Sequence, residues 1–339
     1  MTSRRQFHQA ALSLTSLGAL GAVGALGALR STDALAQAVE QVKIFYGFPA
    51  GSAGDGVARR VGEKLAGSAY TKNTGVVENK PGAGGRIALD SLKAAPADGS
   101  VLALSPWSAL AIYPHIYSKL SYDPMRDFVP VSIAAVMHHG LAVGPLVPAS
   151  VKNVKDYLVW AKANPKDASY GSPAAGSTPH FIGALLGINN GVDLKHVPYR
   201  GSVPGVTDVV GGQLASMVTP SGDFLQFHRT GRLRLLATSG SERSPFSLDV
   251  PTFAEQGFAE LTTEEWFGFY APAKTPAAIV SAANAAINAA LKDKSVIDSL
   301  ATTGLIAKGS TTEEQARSQR AEFDRWGPLV KKIGFTAES

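Results

Sequence analysis

Hydrophobic and polar positions along the chain follow two different periods in turn. Short apolar runs at residues 42–45 and 101–104 are typical of buried strands. Between them, Val57, Val61 and Leu65 recur at helical spacing and predict one buried face of a helix. Because strands and helices alternate in this way, the sequence predicts an α/β domain with a mostly parallel sheet.

The rest of the chain repeats this alternation. Further strands are predicted over 75–78, 131–136, 140–143, 196–199, 215–218, 233–238 and 266–270, and further helices over 87–95, 154–163, 181–185, 203–210 and from 275 onward. Residues 169–171 lead into another loop. Pro276 suits the first turn of the helix that it opens. Thr311 and Glu314 have the spacing of a capping box at the start of a last helix. A chain of this length predicts two domains.

The first 36 residues have the features of an export signal. Residues 3–7 read SRRQF, a twin-arginine pattern, and a weakly apolar run follows over 10–29. A membrane anchor is the competing interpretation, because that run is long enough to span a bilayer. Its glycines and the small-residue cleavage site at 34–36 favour a removed signal, with Gln37 as the first mature residue. We therefore expect a periplasmic protein exported by the twin-arginine route.

Composition excludes several classes of protein. The 339 residues include no cysteine, which rules out disulfides, cysteine–zinc sites and thiol nucleophiles. The formal net charge is +5, and no run of lysine and arginine accompanies it. A mildly basic balance without such a run is no footprint for nucleic acid. It is compatible with an acidic small ligand.

Three glycine-rich loops, at 49–55, 81–86 and 171–180, each precede a predicted helix. Helix N-termini carry partial positive charge and unpaired N–H groups, so carboxylates bind there readily. A single such loop is weak support, because glycine also serves ordinary turns. Together the loops predict a site for a small anion. The candidate ligand-binding residues are Ala50, Gly51, Ser52, Ala53, Asp55, Gly82, Ala83, Gly84, Gly85, Ser172, Ser177 and Thr178.

A fourth segment adds Tyr199, Arg200 and Gly201 to the candidates. Arg200 has the chemistry to pair with a carboxylate in a two-pronged fork, although a solvated arginine at a helix start is an equally good interpretation. Asp208 is expected to brace this loop from the next helix. Trp107 follows a strand end and is a candidate for lining the cleft, with burial under a loop as the alternative.

An ordered set of motifs resembles the Bug (TctC-like) extracytoplasmic solute receptors of tripartite tricarboxylate transport systems. It includes a Pro-x-Gly-x-x-x-Asp loop at 49–55, VENKPGAGG at 77–85, AAPADG at 94–99, YGS at 170–172, PYRGS at 198–202, PTFAEQG at 251–257 and APAKTP at 271–276. The set spans nearly all of the chain after residue 36. Single motifs are modest, but their order is specific.

The resemblance implies a type 2 periplasmic-binding-protein fold, in which two α/β lobes close on a ligand. Lobe 1 is expected over 37–138 and 267–339, and lobe 2 over 139–266. Such receptors hold a carboxylate through main-chain amides and hydroxyls, a role that falls here on 49–55, 82–85 and 172–178. The segment after Tyr199 is expected to close on the far end of the ligand, and membrane transporter subunits are the implied partner.

Enzyme motifs are missing. A Gly-x-Ser-x-Gly elbow fails at Ser52 because Ala50 stands two residues earlier, and Ile87 replaces the third glycine of a dinucleotide fingerprint. His138 and His139 are neighbours, so in a strand they point to opposite faces, which suits a shared metal poorly. They are interpreted as ordinary surface or cleft residues. Asp55, Asp208, Asp223 and His180 have the chemistry of a catalytic set, but no spacing demands one.

We therefore expect a monomeric receptor that binds a small carboxylate without cofactor, metal or nucleic acid. A dicarboxylate or an aromatic acid is favoured, because Arg200 is predicted opposite the amide cradle. Replacing Arg200 by alanine is then expected to weaken binding by about 1.5–3 kcal/mol. A ligand sensor for a signalling membrane protein is the alternative, and a periplasmic hydrolase is a more distant one.

Overall fold

The computed structural model describes residues 38–337, so the expected export signal at 1–36 lies outside the described residues. The strands are β1 Lys43–Tyr46, β2 Val76–Asn79, β3 Val101–Pro106, β4 Phe128–Val143, β5 Ser169–Ser172, β6 Lys195–Pro198, β7 Ser216–Pro220, β8 Arg234–Thr238, β9 Glu264–Pro272 and β10 Ile306–Ala307. The helices are α1 Ala53–Glu63, α2 Arg86–Lys93, α3 Ser108–Ala111, α4 Tyr113–Ile116, α5 Val154–Ala163, α6 Thr178–Asn190, α7 Ser202–Val210, α8 Leu225–Arg229, α9 Ala277–Ala290, α10 Lys294–Thr302 and α11 Thr312–Ile333. These elements confirm the predicted α/β class.

The strands join in the order β2-β1-β3-β9-β4-β7-β5-β6, with β8 and β10 also pairing with β4. Pairing is parallel towards both ends, where β1 lies between β2 and β3, and β5 lies between β6 and β7. It is antiparallel in the middle, where β9 lies between β3 and β4, and β4 also pairs with β7. The predicted parallel order therefore holds at each end but not through the centre.

Strand β4 connects the two ends of the sheet. The sequence predicted separate strands at 131–136 and 140–143, which is wrong, because the backbone stays extended without a turn for 16 residues. Up to His138 the strand pairs with β9, and from His139 onward it pairs with β7. The two histidines thus lie where β4 changes partners.

Helix α1 buries the face that its apolar spacing predicts, whereas α2 and α7 each expose one apolar residue near their start, Ile87 and Val203. Val57 and Val61 of α1 are fully buried, as is Leu65 just beyond its end. Helix α2 instead buries Ala88, Leu89 and Leu92. Ile87 lies at the start of this helix and is 46% exposed, because the buried stripe of α2 begins one residue later, at Ala88.

Helix α11 begins with the predicted capping box. The Thr311 hydroxyl accepts a hydrogen bond from the Glu314 N–H at 3.1 Å, and the Glu314 carboxylate accepts one from the Thr311 N–H at 2.9 Å. The helix then packs Trp326 into the core beside Trp107. No helix in the 38–337 range combines the length and the apolar character that crossing a membrane needs.

Candidate ligand-binding site

A chamber of about 490 Å³ lies between the central strands and the loops that precede α1, α6 and α7. Its aromatic lining is Tyr46, Phe48, Tyr113 and Phe267, and its polar lining is Ser52, Ser108, Ser177, Ser202, His139, Asp223 and Glu265. The elements that meet here are far apart along the chain, so only the folded sheet assembles the site.

Three helices begin at the chamber wall without a side-chain cap. The N-cap residues of α1, α6 and α7 are Ser52, Ser177 and Gly201, and none makes a capping hydrogen bond. The two hydroxyls turn backwards instead, since Ser52 donates to the Pro49 carbonyl at 2.8 Å and Ser177 donates to the Ala174 carbonyl at 2.7 Å. The first N–H groups of a helix have no acceptor within it, so these ends suit an anion.

Asp55 shapes the first loop from outside the chamber. Its carboxylate accepts hydrogen bonds from the Gly51 N–H at 3.0 Å, from Asn79 at 2.9 Å and from Arg59 at 3.0 Å. Burial opposes ionisation, but these donors outweigh it and hold the pKa of Asp55 below its ordinary value. Asp55 is therefore an internal brace of the loop that carries Ser52.

The second loop lines a smaller pocket of about 240 Å³ beside the chamber, together with Tyr199, Arg200 and Gly201. Residues 82–85 lie on its wall, where Ala83, Gly84 and Gly85 have φ values of +47°, +65° and +91°. Left-handed backbone suits glycine and costs energy at alanine. The structure thus brings the second loop and the segment after Tyr199 together, with the exposed Arg200 facing the same space.

The segment after Tyr199 is held by a hydrogen bond to α7 and by close packing against the first loop. The Tyr199 hydroxyl donates to the Asp208 carboxylate of α7 at 2.7 Å, which confirms that Asp208 braces this loop. Gly201 has a φ of +104°, and a Cβ there would lie 2.8 Å from the Pro49 ring. Close approach of the two loops therefore requires glycine at 201.

The third loop contributes one of its three candidate residues to the chamber lining. Ser177 lines the chamber. Ser172 is fully buried, donates to the Ala174 carbonyl at 2.9 Å and lies 2.8 Å from Nε2 of His196. Thr178 is also fully buried, and its hydroxyl has no hydrogen-bond partner within the described residues.

The remaining candidates lie around the chamber rather than on its wall, apart from Ala53, which lines it. Trp107 is fully buried, and its indole N–H donates to the Glu264 carbonyl at 3.3 Å. Ala50 is exposed, and Gly51 lines a neighbouring groove of about 1170 Å³. This groove shares Ala53 with the chamber and forms an open side of the site.

Sequence reasoning missed a buried histidine–glutamate contact in the chamber wall. Nε2 of His139 lies 2.7 Å from the Glu265 carboxylate, and the two side chains are 1% and 3% exposed. Glu265 also accepts the Ser108 N–H at 3.2 Å. The sequence shows two adjacent histidines in β4 and two adjacent glutamates in β9. That these residues are neighbours follows only from the register of the two strands, which places His138 opposite Glu264.

Asp223 is the other chamber residue that the sequence left without a role. It lies in the single turn Ser221–Phe224 that follows β7, and the Thr219 hydroxyl donates to its carboxylate at 3.1 Å. Burial raises the pKa of Asp223 to about 6, although hydrogen bonds from Ser202 and Thr219 oppose the shift. No cluster of three or more histidine, aspartate or glutamate side chains within residues 38–337 is arranged to hold a metal ion.

Two mixed α/β ends joined by crossing strands, with a chamber between their loops, are the architecture of periplasmic binding proteins. Solved structures support this class: the periplasmic binding protein BugD superposes with a TM-score of 0.82 at 26% identity, covering 88% of this chain and 99% of its own. The family described as "Tripartite tricarboxylate transporter family receptor", TctC, matches residues 57–335, and the chain belongs to it.

Two further relatives are informative. Protein BugT of Bordetella pertussis is 31% identical over 294 residues, which cover 86% of this chain and 89% of BugT. The structure of Rpa4515 from R. palustris, solved with adipate, has a TM-score of 0.82 at 30% identity and covers 88% of this chain and 99% of that one. The chain is therefore a solute-binding receptor of the Bug/TctC type and not an enzyme, as the sequence predicted.

Proposed function

We propose that this receptor works in the periplasm, captures a small carboxylate in the chamber and delivers it to the membrane subunits of a tripartite tricarboxylate-type transporter. The observation that carries the proposal is the convergence of three uncapped helix N-termini, those of α1, α6 and α7, on one chamber. Each end offers N–H donors and partial positive charge to an anion.

Main-chain amides are the natural partners for an anion here. The chamber lining contains no lysine or arginine among the described residues. A carboxylate would therefore be held by N–H groups and by hydroxyls such as those of Ser52, Ser177 and Ser202. The relative Rpa4515, whose structure was solved with adipate, supports a carboxylate ligand by analogy.

A dicarboxylate or an aromatic acid is the favoured ligand. Tyr46, Phe48, Tyr113 and Phe267 give the chamber apolar walls, which suit the body of such a molecule. Phe48 lines both the chamber and the neighbouring pocket that holds Arg200. A second carboxylate would reach towards that guanidinium, which pairs well with planar anions.

Closure of two lobes, 37–138 with 267–339 against 139–266, would trap the ligand. Strand β4 changes partners between His138 and His139, the position of the proposed boundary. The loop at Pro49 lies against Gly201 from the other side of that boundary. Such an arrangement suits hinge closure, in which a few residues absorb the motion.

A thermal-shift screen of residues 37–339 tests the capture step. Panels of mono-, di- and tricarboxylates, aromatic acids, amino acids and neutral sugars are compared, because a ligand that binds only the folded state raises its apparent stability. Stabilisation by one class of acid and not by sugars is expected. The screen is repeated after unfolding, dialysis and refolding to remove retained ligand, and no stabilisation by any acid after refolding would reject the proposal.

Delivery has a separate test. Membrane vesicles that contain the transporter subunits are supplied with the radiolabelled acid identified in the screen. Uptake is expected only when the receptor is added. Equal uptake without it would leave capture intact and reject delivery.

A further inference from the structure

The chamber has an acidic side as well as an anion-binding side. Glu265 comes from β9, His139 from β4 and Asp223 from the turn after β7, and all three line the same space. A receptor that only held carboxylates would gain nothing from acidic groups at the ligand, because like charges repel. Their partners decide what these groups are available to bind.

Glu265 is already compensated. Its carboxylate lies 2.7 Å from His139 and accepts the Ser108 N–H at 3.2 Å. A buried carboxylate that is paired and hydrogen-bonded meets its own electrostatic needs. Glu265 is therefore not the group that a ligand must satisfy.

Asp223 is different, because the side-chain hydrogen bonds that it accepts come from hydroxyl groups. Thr219 donates to it at 3.1 Å and Ser202 also donates a side-chain hydrogen bond, but it forms no salt bridge with lysine, arginine or histidine within the described chain. Burial raises its pKa to about 6, against the opposing effects of the Ser202 and Thr219 hydroxyls and of the nearby His139. A cation from outside would stabilise the ionised carboxylate.

His139 points independently to a ligand group in this corner. The residue is 1% exposed and lines the chamber, yet neither ring nitrogen has a hydrogen-bond partner within the described residues, although Nε2 lies 2.7 Å from the Glu265 carboxylate. Buried polar atoms are almost always paired in folded proteins. An unpaired one in a ligand chamber is expected to find its partner in the bound molecule or its water.

The two sides of the chamber meet at Ser202. This residue is the first of α7, whose uncapped N-terminus suits a carboxylate, and its hydroxyl donates to Asp223. The groups that attract an anion and the group that attracts a cation are therefore neighbours. Such spacing fits a ligand whose carboxylate and cation are on the same carbon.

We propose that the ligand is a small α-amino acid, whose carboxylate binds the helix N-termini and whose ammonium group binds Asp223. This assignment rests on the proposed capture of a carboxylate in the same chamber. The amino acid's side chain then lies among the aromatic walls or extends towards Arg200. A dicarboxylate without an amine leaves Asp223 unpaired, and one carrying an amine satisfies both sides.

Calorimetric titration with two matched pairs of ligands tests this inference: aspartate against succinate, and phenylalanine against 3-phenylpropanoate. Each pair differs by the amino group. In the refolded wild-type receptor, the amino acid of at least one pair is expected to bind about tenfold or more tightly than its deaminated partner, the scale of a hydrogen bond to a charged group.

Asp223→Asn keeps the shape of the side chain and removes its charge. In this variant the ratio of the two affinities, amino acid over deaminated acid, is expected to fall close to one. The deaminated acid is expected to bind as well as before or better. Asp249→Asn is the matched control, because Asp249 is a largely exposed carboxylate outside the chamber that pairs with His228. It is expected to leave the preference unchanged.

The outcomes separate this inference from the proposed function. If the deaminated acids bind as tightly as the amino acids, or if the preference survives in Asp223→Asn, the ammonium site is rejected and carboxylate capture stands. If no acid with or without an amine binds, both are rejected. The wild-type comparison alone decides the case if Asp223→Asn does not fold.

Discussion

Helices of this receptor begin in two different ways. Away from the chamber, α5, α10 and α11 are capped by Asn153, Asp293 and Thr311, each of which accepts a hydrogen bond from a first-turn N–H. At the chamber, α1, α6 and α7 have no side-chain cap. A cap and a bound anion compete for the same N–H groups, so the ends of α1, α6 and α7 are available to a ligand. Helices α2, α8 and α9 also lack a side-chain cap, but they begin outside the chamber.

The type of residue at the N-cap does not reveal this difference. Ser52 and Ser177 are residues that normally cap helices, but their hydroxyls donate to the Pro49 and Ala174 carbonyls. Each hydroxyl therefore tightens the loop before its helix and leaves the helix N–H groups uncovered. The comparison can be tested by adding a cap where none exists and by removing one that does.

Ser52→Asp is expected to have the largest effect. A carboxylate at this N-cap would occupy the N–H groups of α1 and repel a ligand carboxylate, and like charges in contact cost several kcal/mol. Binding of the acid found in the thermal-shift screen is expected to weaken by about 100-fold or more in calorimetry. The fold should remain stable, since a capped α1 gains stability.

Asn153→Asp is the control for this change. It places the same new charge at the N-cap of α5, which lies outside the chamber. Affinity is expected to stay at the wild-type value. Wild-type affinity in Ser52→Asp would show that the α1 terminus does not hold the ligand.

Acid is expected to destabilise the loop before α6, which a histidine supports in place of a cap. Nδ1 of His180 accepts the Gly176 N–H at 3.0 Å, and the His180 and His196 rings stack at 3.9 Å. Burial lowers the pKa of His180 to about 3 and that of His196 to about 4, with each ring neutral at pH 7. Protonation of Nδ1 would remove the acceptor.

The direction of the change in stability with pH follows from the number of protons that the folded and unfolded chains bind. Between pH 4 and pH 6.5 the unfolded chain binds more protons at both histidines, so stability is complete above about pH 6.5 and is lost as the pH falls. Urea denaturation should show that the two histidines together cost about 4 kcal/mol from pH 7 to pH 5, about 2 kcal/mol each, on the scale of 1.4 kcal/mol per pH unit per group. Asp223, whose pKa is raised to about 6, opposes this trend below pH 6.

His180→Gln isolates the contribution of the ring. Because glutamine does not titrate in this range, the loss between pH 7 and pH 5 is expected to shrink in the variant. An unchanged slope would show that His180 is not the group that responds to acid.

Sequence patterns were sufficient to predict most helices and strands and to locate the loops of the candidate site, because these features depend on the spacing of residues close together in the chain. Helix α5 was predicted with its observed bounds, and the capping box at Thr311 was found from two residues. The continuity of β4 and the His139–Glu265 pair were missed, because both depend on which strands become neighbours. Asp223 was missed as a chamber residue for the same reason.

Arg200→Ala is expected to have a moderate effect on binding. The guanidinium is exposed in the side pocket and not in the chamber, so screening by water reduces its contribution. We expect a loss of about 1.5 kcal/mol, the low end for a hydrogen bond to a charged group. Affinity should fall for ligands with two carboxylates and stay unchanged for ligands with one. An equal loss of affinity for both kinds of ligand would show that Arg200 does not select between them.

Thr311→Ala is expected to have the smallest effect and completes the comparison. It removes a cap that α11 uses, so the free energy of unfolding should fall by about 1 kcal/mol in urea denaturation. Ligand affinity should not change, because this terminus lies outside the chamber. Together with Ser52→Asp, the variant separates the two kinds of helix start. Thr311→Ala should lower stability without affecting binding, and Ser52→Asp should weaken binding strongly without lowering stability. A loss of affinity in Thr311→Ala would show that helix starts away from the chamber also influence the ligand.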